Sequence, residues 1–181
     1  MIENYKKSNI IKIINYVKLI YMKKYIAIIL FSMSINFLYS QSNINLPTWN
    51  VSKLYVNGLT NNDRADYIAR ALEKVNLVIF AAFSSEEGYG YVMYTNSQNI
   101  GNVIDYINQA LTGYEVTKND TMQLTKDLYL QIYYLRNNIK SQDIKNQMPQ
   151  YIQLGPKNEL SVQLYELAKQ IWIERYSEAN E

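Results

Sequence analysis

Residues 53–118 alternate strand-like and helix-like patterning in the order β-α-β-β-α-β. Two of these segments place apolar residues at helical spacing, and one strand segment has no polar face. These three observations predict an α+β protein: a ferredoxin-like βαββαβ sandwich with four antiparallel strands, both helices on one face, and additional C-terminal helices. In chain order, residues 53–56 are β-prone and Asn57-Gly58 stops them. Ala65, Ile68, Leu72 and Val75 then make one apolar helical face. Residues 77–83 are apolar throughout, which predicts an interior strand. A turn at 84–88 leads into a second strand at 89–94, completing a hairpin. Ile100, Val103, Ile104, Ile107 and Leu111 predict the second helix, Gly113 ends it, and residues 114–117 form a short last strand. Beyond the sandwich, Leu124, Leu128, Ile132, Leu135 and Ile139 mark a third helix and residues 149–156 a loop. Leu160, Leu164, Leu167, Ile171 and Trp172 mark a final amphipathic helix that opens near Asn158. These added helices either cover the open face of the sheet or dock on a partner; burial within the chain is the commoner case.

The 181 residues contain no Cys and no His. That excludes thiolate nucleophiles, disulfides, Cys/His zinc sites and the usual near-neutral general base. Residues 1–40 carry six lysines against one glutamate, net +5, and the remainder carries 12 Lys+Arg against 15 Asp+Glu, net −3. The basic charge therefore belongs to the leader, and no dense basic patch supports nucleic-acid binding. Lys23-Lys24 precedes an apolar run of thirteen residues, 25–37, and then Leu38-Tyr39-Ser40-Gln41. This reads as a secretory signal peptide with cleavage at Ser40|Gln41. The start is either Met22, with ordinary signal proportions, or Met1 with a long basic region. An uncleaved anchor is the alternative, but the run falls short of the roughly 18–20 residues needed to cross a bilayer. The organisation is then a leader and signal peptide (1–40), a lead-in (41–52), the ferredoxin-like domain (53–118) and a helical C-terminal extension (119–181).

Four places along the domain carry a resemblance. Val56-Asn57-Gly58-Leu59-Thr60-Asn61-Asn62-Asp63-Arg64 follows the first strand, and Ile68-Ala69-Arg70-Ala71-Leu72 continues the helix. Val92-Met93-Tyr94 lies on the third strand, and Gly113-Tyr114-Glu115-Val116 closes the domain. In this order they resemble the heavy-metal-associated domain of copper chaperones and metal-transporting ATPases, whose loop reads Gly-Met-Thr-Cys-x-x-Cys. By that resemblance Asn61 and Arg64 stand where the family has its two metal-binding cysteines. A neutral amide oxygen suits Cu(I) poorly, and a permanent cation without a lone pair repels a metal. The resemblance therefore implies a domain whose metal site is lost. The residues themselves also read as a helix start: Thr60-Asn61-Asn62-Asp63 fits the Ser/Thr-x-x-Asp capping pattern, with Asp63 and Asp66 near the positive end of the helix dipole. The alternative is an altered oxygen-rich metal site built from Asn61, Asp63 and Asp66.

Other chemistry is sparse. Glu86-Glu87 is a solvated turn, Met93, Met122 and Met148 are dispersed, and no serine has a histidine base. Thirteen tyrosines follow residue 40, and they either pack their rings or mark a docking surface. The expectation is an exported, non-enzymatic protein, periplasmic or extracellular, with no catalytic residue, no cofactor and no nucleic-acid partner. Its role would be contact with another envelope protein through a sheet face, a sheet edge or a tyrosine-bearing helix.

Overall fold

Alternating side chains on β1 (Trp49–Asn57) send Val51 to one side of a sheet and Leu54 and Val56 to the other, and every one of these is buried. A strand patterned this way needs a core on both faces, and the computed structural model, which describes residues 44–75, 78–155 and 157–176, supplies both. After β1 come α1 (Asn62–Lys74), β2 (Phe80–Ser84), β3 (Tyr89–Thr95), α2 (Ile100–Ala110) and β4 (Glu115–Met122). Next are α3 (Lys126–Leu135), a 3-10 turn (Ser141–Asn146) and α4 (Asn158–Tyr176). All strand pairs are antiparallel, in the order β2-β3-β1-β4.

The two helices predicted within the domain cover one face. Ile68 and Leu72 of α1 and Val103 and Ile107 of α2 pack against Leu54, Ala81, Phe83 and Val92. The opposite face is covered by the C-terminal helices. Phe80, Ala82, Tyr91 and Met93 meet Leu128, Tyr129, Ile132 and Tyr133 of α3 and Leu164, Ala168 and Ile171 of α4. The extension is thus a third layer sharing the sheet with the domain, and Ile44, Leu46 and Trp49 of the lead-in pack against the same core. Among the described residues no helix is long and apolar enough to cross a membrane.

Several boundaries differ from the sequence reading. β1 begins at Trp49 and β4 runs to Met122, beyond the expected limits of 53 and 118. Asn50, Asn119 and Asp120 have low strand propensity; the pairings Asn50↔Tyr94, Leu54↔Asn119 and Lys53↔Asp120 hold them extended nonetheless. The interior strand starts at Phe80, and Leu77 lies outside the described residues. Helix α3 stops at Leu135, before Ile139, because Asn138 takes a left-handed φ of 57°, which asparagine tolerates better than most side chains. The 3-10 turn went unforeseen; Ile144 alone anchors it, and its carbonyl accepts the Trp172 indole N–H at 2.8 Å. The expected leader and signal peptide, with Met22 and the Ser40|Gln41 junction, lie outside the described residues.

The tyrosines of α3 are packing residues. Tyr129, Tyr133 and Tyr134 are all at most 1 % exposed. Each hydroxyl donates to a backbone carbonyl, of Leu164, Gln150 and Gln147 respectively, so the rings fill the core while the hydroxyls hold α4 and the loop before it. Burial pushes all three phenols well above the ordinary tyrosine range. A tyrosine-bearing face of α3 is therefore unavailable for docking.

Candidate functional site

The loop between β1 and α1, where the expected metal-site positions Asn61 and Arg64 lie, is closed by an arginine. Arg64 Nε donates to the Gly58 carbonyl at 2.6 Å and Nη2 to the Gly113 carbonyl at 2.9 Å. Its guanidinium carbon lies 4.3 Å from the centre of the Tyr114 ring, and the Tyr114 hydroxyl donates back to the Arg64 carbonyl. One planar fork thus ties the β1–α1 loop to the α2–β4 loop, with a cation–π contact beneath it. The approach depends on glycine. Gly58 has φ +95°, and a Cβ there would sit 2.0 Å from the Gly113 oxygen. Replacing Arg64 with alanine is expected to cost about 2 kcal/mol, from two charge-assisted hydrogen bonds at a partly exposed position. Lysine, which lacks the fork, should not restore it; urea unfolding of the three proteins checks both expectations.

Asn61, rather than Thr60, is the N-cap of α1: its Oδ1 accepts the Arg64 backbone N–H at 2.9 Å. The expected reciprocal capping box is therefore not formed: the N3 residue after Asn61 is Arg64, a donor-only side chain that cannot return a bond to the cap, and the Thr60 amide bonds the Gly58 carbonyl in the preceding turn. Asp63 sits in the first turn of α1 as expected. Asp66 does not join Asn61 and Asp63; its carboxylate is bound by the guanidiniums of Arg70 and Arg136. An oxygen-rich cation site at Asn61, Asp63 and Asp66 would have to strip those cations from Asp66 and the helix-capping bond from Asn61. This donor set does not fit a metal ion. Among the described residues no three His, Cys, Asp or Glu side chains cluster as ligands.

Arg136 carries structural information that the sequence concealed. It sits at the end of α3, in the layer opposite α1, yet its side chain is 3 % exposed and pairs with both Asp66 and Glu73 of α1. Glu73, also buried, accepts the Ala81 backbone N–H of β2 at 3.2 Å. The cluster therefore bridges the two helical layers beside edge strand β2 and satisfies an amide of that edge. Lys157 Nζ, 3.5 Å from the Val78 carbonyl, lies against the chain just before the same strand. Burial holds the Glu73 carboxyl above the usual range, partly offset by Arg136 and the Ala81 amide. No local pattern around residue 136 announces a buried ion pair with a helix 63 residues earlier.

Around the tyrosine-rich end of the sheet, Lys53 Nζ lies 3.4 Å from the Tyr89 ring centre and 5.1 Å from that of Tyr55. A cleft of about 280 Å³ beside it is bordered by Tyr89, Tyr91, Glu86, Asn138 and Lys140. Glu86 is paired with Lys140 at its rim, so the acidic doublet is a turn with a surface counter-charge.

The other sheet edge is β4. No strand among the described residues pairs with β4 on its outer side. The Val56 N–H bonds the Gly88 carbonyl on the β3 side, and the Tyr55 carbonyl accepts the Thr117 hydroxyl on the β4 side. Alternation along β1 then directs the backbone groups of Lys53 and Tyr55 at Asp120 and Lys118, leaving the backbone N–H and C=O of Asn119 and Thr121 pointing outward. Comparison with known proteins gives no match: no family model, no curated protein and no solved structure is similar enough to assign a family.

Proposed function

We propose that the chain is an exported, non-catalytic interaction domain of ferredoxin-like βαββαβ fold, related to the heavy-metal-associated domains, with its metal loop closed by Arg64 and its docking element the outer edge of β4. The element order and the strand order β2-β3-β1-β4 support the fold, since they put β1 and β3 at the centre and β2 and β4 at the edges. The basic stretch and apolar run before Gln41 support export to the periplasm or beyond. The observation that carries the docking assignment is a contrast between surfaces. Both sheet faces are covered by helices, the α3 tyrosines are buried, and the β2 edge is engaged by Glu73, whereas among the described residues no strand pairs with the outer backbone groups of β4. Such an edge accepts an extended strand from another protein by main-chain hydrogen bonding.

Asn119→Pro tests this. It removes an outward N–H while sparing the groups that bond β1, so folding should persist, as edge strands tolerate proline. Capture of an envelope protein, a second copy of this chain included, by the immobilised wild-type chain should be lost in the variant. Equal capture by both proteins, with unchanged circular dichroism, would show that docking runs through another surface.

A further inference from the structure

We infer that the occupant of the β4 edge is a second copy of this chain, paired antiparallel about Asn119 so that two four-stranded sheets become one. The inference rests on the assignment of β4 as the docking element and adds the identity of its partner. Residues 116–122 read Val-Thr-Lys-Asn-Asp-Thr-Met. Around Asn119 the stretch 117–121 is self-complementary: Lys118 stands against Asp120 and Thr117 against Thr121. Two antiparallel copies centred there place each Lys118 opposite Asp120 of the second copy and each Thr117 opposite Thr121.

The backbone agrees with that register. Asn119 and Thr121 direct their N–H and C=O outward, so the Asn119 pair at the two-fold axis is hydrogen-bonded. Lys118 and Asp120 then fall at the non-hydrogen-bonded positions, where opposing side chains stand closest. Within one copy Lys118 Nζ already contacts Asp120 Oδ2 at 2.7 Å, with the two side chains 60 % and 42 % exposed. Pairing would convert this into a four-membered ring of alternating charge. Neighbouring registers lose the match. A one-residue slip sets Lys118 against Asn119 or Thr121, and a two-residue slip sets Lys118 against itself or Asp120 against itself, which is repulsive.

A lysine on an edge strand ordinarily deters pairing. Here the same strand carries its complement at the position that only a two-fold partner reaches. The open stretch is short. The Val116 N–H is already taken by Asn108 Oδ1, and the ladder with β1 shifts register between Tyr55 and Val56. Pairing is therefore confined to about 117–121, an interface below the roughly 1,200 Å² of standard stable complexes, and the dimer forms in a concentration-dependent way.

Sedimentation equilibrium of the full-length chain over a wide concentration range tests this. The wild type should pass from monomer to dimer. Lys118→Asp and Asp120→Lys should each weaken the dimer about tenfold, since each replaces two attractive contacts by repulsive ones. The double variant, which exchanges the two charges, should restore it. A dimer indifferent to the single reversals would overturn this register. A chain that stays monomeric throughout would overturn self-pairing, while the effect of Asn119→Pro on envelope capture would still report separately whether the edge docks a different protein.

Discussion

Replacing Arg136 with methionine lowers the unfolding free energy by about 3–5 kcal/mol, the usual loss when one member of a buried ion pair is removed. The substitution leaves the Glu73 carboxylate buried beside an apolar side chain, while Asp66, which half faces solvent, keeps its pairing with Arg70. The damage should depend on pH with a definite sign. Without Arg136 the Glu73 carboxyl rises further, so the variant regains part of its stability at acidic pH, where Glu73 is neutral. Even in the wild type the carboxyl is held above its ordinary value, so the folded chain keeps that proton to higher pH than the unfolded chain does. Its contribution is thus full below the ordinary carboxylate range and is lost as pH rises through the raised folded value. Glu73→Gln keeps an oxygen for the Ala81 amide and removes the titration, and the advantage of the wild type over this variant should shrink as pH rises. Adding Glu73→Gln to Arg136→Met should recover much of the loss, because no buried charge is then left unpaired. Urea unfolding of the four proteins across acidic and neutral pH measures the coupling, and simple additivity would show that the cluster does not act as a unit.

Tyr133→Ala has an effect of similar size, about 3–5 kcal/mol, by a different route. The ring stacks on Phe80 of the sheet at 5.8 Å and on Tyr129 at 6.3 Å, and its hydroxyl holds the Gln150 carbonyl at 2.9 Å. Tyr133→Phe isolates the hydroxyl and should cost only about 1 kcal/mol. If the two variants were equally unstable in denaturant titrations, the hydroxyl anchor and not the ring would dominate attachment of the C-terminal layer.

The helices and the hairpin were legible because their signals are local. Ile68 and Leu72 advertise the buried face of α1, Val103 and Ile107 that of α2, and the apolar run through Phe83 a strand covered on both sides. The extra length of β1 and β4 was hidden, because asparagine and aspartate in those strands are extended only by their ladder partners. At the candidate site, Asn61 and Arg64 were recognisable as a poor ligand pair, but the role of Arg64 in joining two loops depends on the Gly113 carbonyl 49 residues away. Arg136 gave no sign at all. An arginine at a helix end reads as a solvent-facing charge, and only the tertiary arrangement brings α1 to it. Tyrosine was ambiguous by nature, since the same side chain serves a core at Tyr129 and lies against a lysine at Tyr89.

The sheet with a core on each side also sets an order of events during synthesis. Once residue 122 has emerged, the chain holds everything that closes the α1–α2 side. The other side still shows Phe80, Tyr91 and Met93, whose cover is encoded by residues not yet made. Until α4 arrives, the nascent protein carries an apolar wall that a hydrophobic segment of any neighbour can occupy. The final stage of translation is therefore the interval in which this chain is most exposed to misassembly and most in need of a holding partner.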